Sequence, residues 1–204
     1  CLKEFDLDKI NLGDPRLVKY IPLLIEYFLC RATIKDEIGE CAKLVVPAYI
    51  NECILPLEDK ELFFSSVLRK NGEGISEAIS FCARKWGSSK DECAAFAEAM
   101  LEGDISVCAD EEFSDFRDCR AVIKTDTGLC DNKGCFERVS YLAAVKNKNP
   151  GDCEVINSMR LRNMCKAAIS GDTDICKTSS GFKDFRNKYC TEVYESEVGD
   201  DKGK

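Results

Sequence analysis

Histidine is absent from this chain, and with it the commonest general base and the mixed Cys/His zinc site. No Cys-x-x-Cys occurs, which removes the thioredoxin-type dithiol motif, and there is no Gly-rich phosphate loop. The 29 Lys and Arg residues form no block that could offset a formal net charge of −8. Nucleic acid and anionic lipid surfaces both require clustered cations, so neither is an expected partner. A membrane span is missing too. The most apolar stretch, 17–29, contains Lys19, Pro22 and Glu26 and is too short to cross a bilayer.

Cysteine is what the chain has in excess, with 14 in 204 residues spread evenly along it. The segment 108–130 shows the pattern: a leading cysteine, a charged stretch ending Phe116-Arg117-Asp118, a trailing cysteine, an apolar stretch, Thr125-Asp126 and the next leading cysteine. Leading positions are Cys30, Cys53, Cys82, Cys108, Cys130, Cys153 and Cys176; trailing positions are Cys41, Cys93, Cys119, Cys165 and Cys190. Most leading cysteines follow one another by about 22 to 26 residues, a period suited to small two-helix repeats. Even spacing at a repeat period suits disulfide staples, which persist outside the reducing cytosol.

Two ladders of bridges are open, within a unit or across to the next one, and both close loops of similar size. Pairing within units leaves fewer orphans: Cys30–Cys41, Cys82–Cys93, Cys108–Cys119, Cys153–Cys165 and Cys176–Cys190, with Cys130 and Cys135 bridging locally. If Cys1 is acylated an odd thiol remains, and Cys53 is the candidate. Each bridge of about a dozen residues is worth on the order of 3 kcal/mol, which matters because a hairpin of about 23 residues buries little surface alone.

The punctuation between cysteines reads as helix, tight turn, helix. Gly103-Asp104, Thr125-Asp126, Gly151-Asp152 and Gly171-Asp172 precede leading cysteines, the first residue suited to ending a helix and the acid to capping the next element. Alanines flank the trailing cysteines, as in Cys93-Ala94-Ala95 and Lys166-Ala167-Ala168, and let helices approach closely. Phe113-Ser114-Asp115-Phe116-Arg117 returns as Phe182-Lys183-Asp184-Phe185-Arg186. The fold expected is all-α, an α-solenoid-like array of short helical hairpins stapled by disulfides. Residues 1–15 read as a tether ending at Asp14-Pro15, 16–191 as a single helical-repeat domain with a loop insertion at about 54–81, and 192–204 as a disordered acidic tail.

Candidate chemistry is sparse. Ser180-Gly181-Phe182-Lys183 matches Ser-x-x-Lys, without the motifs that accompany it in penicillin-binding proteins. Asp110-Glu111-Glu112 lacks the spacing of a calcium loop and reads as a solvated helix face. Only Cys130 and Cys135 approach the spacing of a structural zinc pair, so no metal and no cofactor are expected. Trp86, the single tryptophan, is either core or a contact anchor.

On this cysteine rhythm and Ala/Gly-Asp punctuation, the chain between Cys30 and Cys190 resembles the cysteine-rich helical-repeat proteins that bacteria and some archaea secrete or anchor by lipid. More distantly it resembles disulfide-bonded Sel1/tetratricopeptide-type arrays. The resemblance implies a stapled helical array outside the cytosol and transfers no functional residue. A chain whose first residue is Cys1 also resembles a bacterial lipoprotein after signal removal, which makes Cys1 the candidate acylation site and its lipid the only expected membrane contact.

The expected function is therefore an extracytoplasmic binding or structural module that engages another protein, and not an enzyme. The sequence specifies neither that partner nor an oligomeric state. The alternatives are a thiolate metal-binding or redox protein, and a hydrolase built around Ser180 and Lys183.

Overall fold

The computed structural model describes residues 7, 10, 12–35, 37–57, 59–109, 118–178 and 180–189. No strand occurs among them. The described α-helices are α1 Ile21–Lys35, α2 Pro47–Ile54, α3 Lys60–Arg69, α4 Ile75–Trp86, α5 Lys90–Glu102, α6 Cys119–Lys124, α7 Lys133–Asn147, α8 Met159–Ser170, α9 Asp174–Thr178 and α10 Ser180–Tyr189. Short 3-10 turns join many of them. None is long and apolar enough to cross a membrane. The chain is all-α and divides into two compact units, Cys1–Leu55 with Asp172–Lys204 (unit 1) and Pro56–Gly171 (unit 2). The expected single domain 16–191 is shared between them, and the expected tail 192–204 lies outside the described residues.

Unit 1 is built on α1. Asp14 caps the 3-10 turn Pro15–Tyr20 by accepting the Arg16 N–H at 2.9 Å, with Pro15 in the first position, where no N–H is needed. Pro22 marks the start of α1 instead of kinking it. Ile21, Leu24, Ile25, Tyr27, Phe28 and Leu29 are buried almost all round the helix. On α10, Phe182 and Phe185 stand one turn apart, so both reach α1's side: Phe182 stacks on Tyr27 at 4.6 Å and Phe185 meets Tyr20 edge-on at 6.0 Å. Leu7, within the expected tether, is buried.

The same unit holds a buried carboxylate. Glu40, 5% exposed, pairs with Lys35 at 2.5 Å, Lys43 at 2.9 Å and Arg31 at 3.1 Å. Burial alone would push its carboxyl up, but the hydrogen bonds from Lys35 and Lys43 and the charge of Arg31 outweigh this and hold it below the usual glutamate value. Just beyond it the chain reverses at Val45, whose φ of 65° is left-handed and costly for a β-branched residue. The Val46 N–H closes a γ-turn onto the Leu44 carbonyl at 2.7 Å, and Pro47 opens α2.

Unit 2 gathers around α3, which lies inside the stretch expected as a loop insertion. The turn between α3 and α4 is confined to residues 70–74, with Asn71, Gly72 and Gly74 at positive φ. Leu62, Phe64, Val67 and Leu68 of α3 are buried, and α3 packs against α4, α5, α7 and α8. Its serines are accommodated: Ser65 shares a hydrogen bond with Tyr141 at 3.2 Å, and Ser66 donates to the Phe63 carbonyl at 3.1 Å. Arg69 donates to the Ala168 carbonyl at 3.3 Å, near the C-terminal end of α8, where a cation is favoured. Of the helices packed against α3, α7 and α8 lie far from it in sequence, whereas a row of hairpins would touch mainly its neighbours.

Candidate functional site

A recurring local device organises the cysteines. Four times a helix ends on a left-handed residue, followed by Asp or Asn and then, four residues later, by cysteine: Gly103-Asp104 to Cys108, Thr125-Asp126 to Cys130, Lys148-Asn149 to Cys153 and Gly171-Asp172 to Cys176. In each, the Asp or Asn side chain accepts the N–H two residues on, at 2.9 to 3.1 Å, which folds the chain into a short turn. The backbone N–H groups of Asp104, Asp126 and Asn149 return to the carbonyls of Ala99, Ala121 and Ala144 at 3.0 to 3.2 Å, satisfying helix ends. These alanines are buried. Asp14 makes the same turn without a cysteine.

The third of these turns corrects the sequence reading by three residues. Gly151-Asp152 was expected to end one helix and cap the next, but Lys148 takes the left-handed position at φ 54° and Asn149 makes the cap. Asp152 instead accepts from the Asn149 side chain at 2.8 Å.

From these turns the bridges run to helices. Cys108–Cys119, Cys130–Cys135 and Cys153–Cys165 each join a cysteine in or just after a 3-10 turn to one on the following helix, while Cys82–Cys93 joins α4 to α5. Two expected pairings are overturned. Cys30 bridges Cys176 in place of Cys41, with Cα atoms 5.6 Å apart, so the pairing Cys176–Cys190 does not form. Cys41 bridges Cys53 at 5.7 Å, so Cys53 is no odd thiol. The physical reason is local structure. Cys41 sits in the 3-10 turn Ile38–Leu44 and Cys53 on the helix that Pro47 opens, the turn-to-helix arrangement of unit 2. Cys30 lies on α1, which packs against α9, the helix of Cys176. Cys1 and Cys190 lie outside the described residues.

The first turn also lines a cleft of about 360 Å³ formed by Ala95, Glu98, Ala99, Glu102, Asp104, Ser106 and Val107. Glu98 and Glu102 stand one turn apart on α5. Ser106 donates its N–H at 2.9 Å and its hydroxyl at 2.8 Å to Asp104, and these bonds hold the Asp104 carboxyl below the usual aspartate value. Three carboxylates suit a cationic group. The one hydroxyl lining the cleft, that of Ser106, donates to the Asp104 carboxylate.

The chain matches no family model, no curated protein and no solved structure.

Among the other candidates, Trp86 is half-buried in an aromatic cluster, 5.6 Å from the Phe63 ring and 5.5 Å from Phe81, which themselves stack at 4.5 Å. Ser180 and Lys183 share α10, and Lys183 is exposed. Asp110-Glu111-Glu112 and Phe113–Arg117 lie outside the described residues. Among the described residues no three His, Cys, Asp or Glu side chains are grouped as a metal would need. Sequence reasoning missed Glu40 and the pair Glu98/Glu102. The four-residue spacing of that pair was visible, but nothing in it marked Asp104 as its neighbour across a turn.

Proposed function

We propose that this chain is an extracytoplasmic, disulfide-stabilised helical module that engages another protein. The observation carrying this reading is that all twelve cysteines among the described residues are bridged, in six pairs. Such a density of bridges persists in an oxidising compartment. A lipid on Cys1 would tether the module to a membrane.

Staples stiffen the connections between helices and so preorganise the surface beside them, which lowers the entropic cost of docking. Ile105, Leu129 and Val155 are large apolar residues exposed within or at the ends of stapled 3-10 turns, and Phe136 and Met159 are exposed at the starts of the helices that follow. Aromatic and methionine side chains of this kind are favoured in protein interfaces. The acidic cleft beside Asp104 would suit a Lys or Arg of the partner.

The reading is tested in two steps on protein from its own host. Alkylation with and without reductant, followed by intact mass, is expected to show at least twelve protected thiols and no bound metal; fewer protected thiols or co-purified zinc would refute it. A photo-crosslinking residue at Leu129, Val155 or Met159 is then expected to give a discrete adduct with one protein. Adducts no stronger than those from a probe at exposed Lys146 would remove the binding assignment.

A further inference from the structure

The bridge Cys130–Cys135 differs from the other five. It closes a separation of 5 residues, against 11, 11, 12, 12 and 146. Its two sulfurs sit in unlike places. Cys130 is half-buried in extended backbone just past the turn Thr127–Leu129, and residues 131–134 are all exposed. Cys135 is fully buried in the first turn of α7, a helix of 15 residues, where its N–H is held by the Asn132 side chain at 2.9 Å.

The bridge is also peripheral to what holds α7 in place. In the repeat, the trailing cysteine of this unit falls near Ser140, which is buried and whose hydroxyl has no hydrogen-bond partner. That position carries no sulfur, and Cys135 in the first turn of the helix takes the bridge. The helix body is anchored without it, through buried Val139, Tyr141, Leu142 and Val145 and the Tyr141–Ser65 hydrogen bond.

We infer that Cys130–Cys135 is a thiol–disulfide exchange site, with Cys130 the sulfur attacked and Cys135 the leaving thiolate. An incoming thiolate, from a small monothiol or a protein cysteine, attacks the sulfur of half-buried Cys130. A bond forms between the two sulfurs as the Cys130–Cys135 bond breaks, and its electron pair leaves on Cys135. The products are a mixed disulfide at Cys130 and a thiolate at Cys135, so sulfur oxidation is exchanged with no outside oxidant. A second thiolate, or Cys135 itself, resolves the mixed disulfide. The N-terminus of a long helix stabilises the departing anion, which lowers the barrier to its release. The other half-buried cysteine, Cys108, has its partner on α6, a helix of 6 residues with a much weaker terminus.

The test exposes the oxidised full chain to reduced glutathione at mildly alkaline pH, quenches with acid and N-ethylmaleimide, and maps the peptides without further reductant. The expected product carries glutathione on Cys130 and maleimide on Cys135, keeps the other five bridges, and retains its helical circular dichroism. Opening of another bridge first, glutathione on Cys135, or loss of helix on exchange would each overturn the assignment.

Discussion

In unit 2 every described bridge joins cysteines 5 to 12 residues apart, whereas unit 1 depends on one that spans 146 residues. A short bridge fixes a turn that caps and small residues already favour, so each part of unit 2 can be specified locally. The long bridge joins α1 to α9 and thus two chain segments separated by the whole of unit 2. Nothing in either segment alone dictates that contact. The comparison teaches that one cysteine rhythm serves two purposes, local stapling of turns and closure of a unit made from distant ends.

Removing the long bridge is the largest perturbation. The double variant Cys30→Ser/Cys176→Ser is expected to lose about 4–5 kcal/mol from unit 1 by the chain-entropy model. Trp86 lies in unit 2, so its fluorescence reports that unit while circular dichroism reports both. In this variant the circular dichroism should begin to fall at lower denaturant than the Trp86 signal. Coincident transitions would show that the two units do not differ in this way.

A short bridge in unit 2 should matter less. Cys153→Ser/Cys165→Ser is expected to cost about 3 kcal/mol and to move the Trp86 transition, with no early phase from unit 1. Denaturant titrations followed by both probes decide this, and equal losses from the long and short bridges would remove the distinction drawn between them.

Acid should separate the units as well. Because the folded Glu40 carboxyl ionises below its ordinary value, its contribution is fully present above the ordinary glutamate range and is lost as pH falls through the lowered folded value. Glu40→Gln is expected to cost unit 1 about 2 kcal/mol at neutral pH and to flatten its acid limb, while the Trp86 transition keeps its pH dependence. An unchanged acid limb would remove Glu40 from the account.

The smallest effect belongs to a single turn. Asp126→Ala removes the acceptor for the Gly128 N–H and is expected to cost about 1 kcal/mol, with hydrogen exchange rising locally around residues 126–130. Asp126→Asn should largely restore it, as Asn149 fills the same role at the third turn.

Much of unit 2 was legible because its signals are short-range. Gly103 and Thr125 end helices, Asp104 and Asp126 make the turns, and cysteine follows at a fixed interval. The slip at Asn149 arose because Lys148 takes a left-handed conformation for which glycine is the usual marker. The long bridge was not legible, since loop entropy changes slowly with length and cannot separate neighbouring cysteines as partners. Nor was the place of α3: the long interval between Cys53 and Cys82, with Asn71-Gly72-Glu73-Gly74 as a loop and the serines Ser65 and Ser66 where a trailing cysteine would fall, reads as an insertion. Their hydroxyls are satisfied by Tyr141 and by the helix itself, which long-range packing alone reveals. In the acidic cleft, Glu98 and Glu102 could be paired by helical spacing, but Asp104 joins them only because the chain turns back at Gly103.

The most direct test is disulfide mapping of the unreduced, full-length protein by proteolysis and mass spectrometry. The account predicts linked peptides joining Cys30 to Cys176 and Cys41 to Cys53, alongside the four short bridges of unit 2. Linkage of Cys30 to Cys41, with Cys53 alkylated as a free thiol, would contradict it and restore a uniform ladder of hairpins.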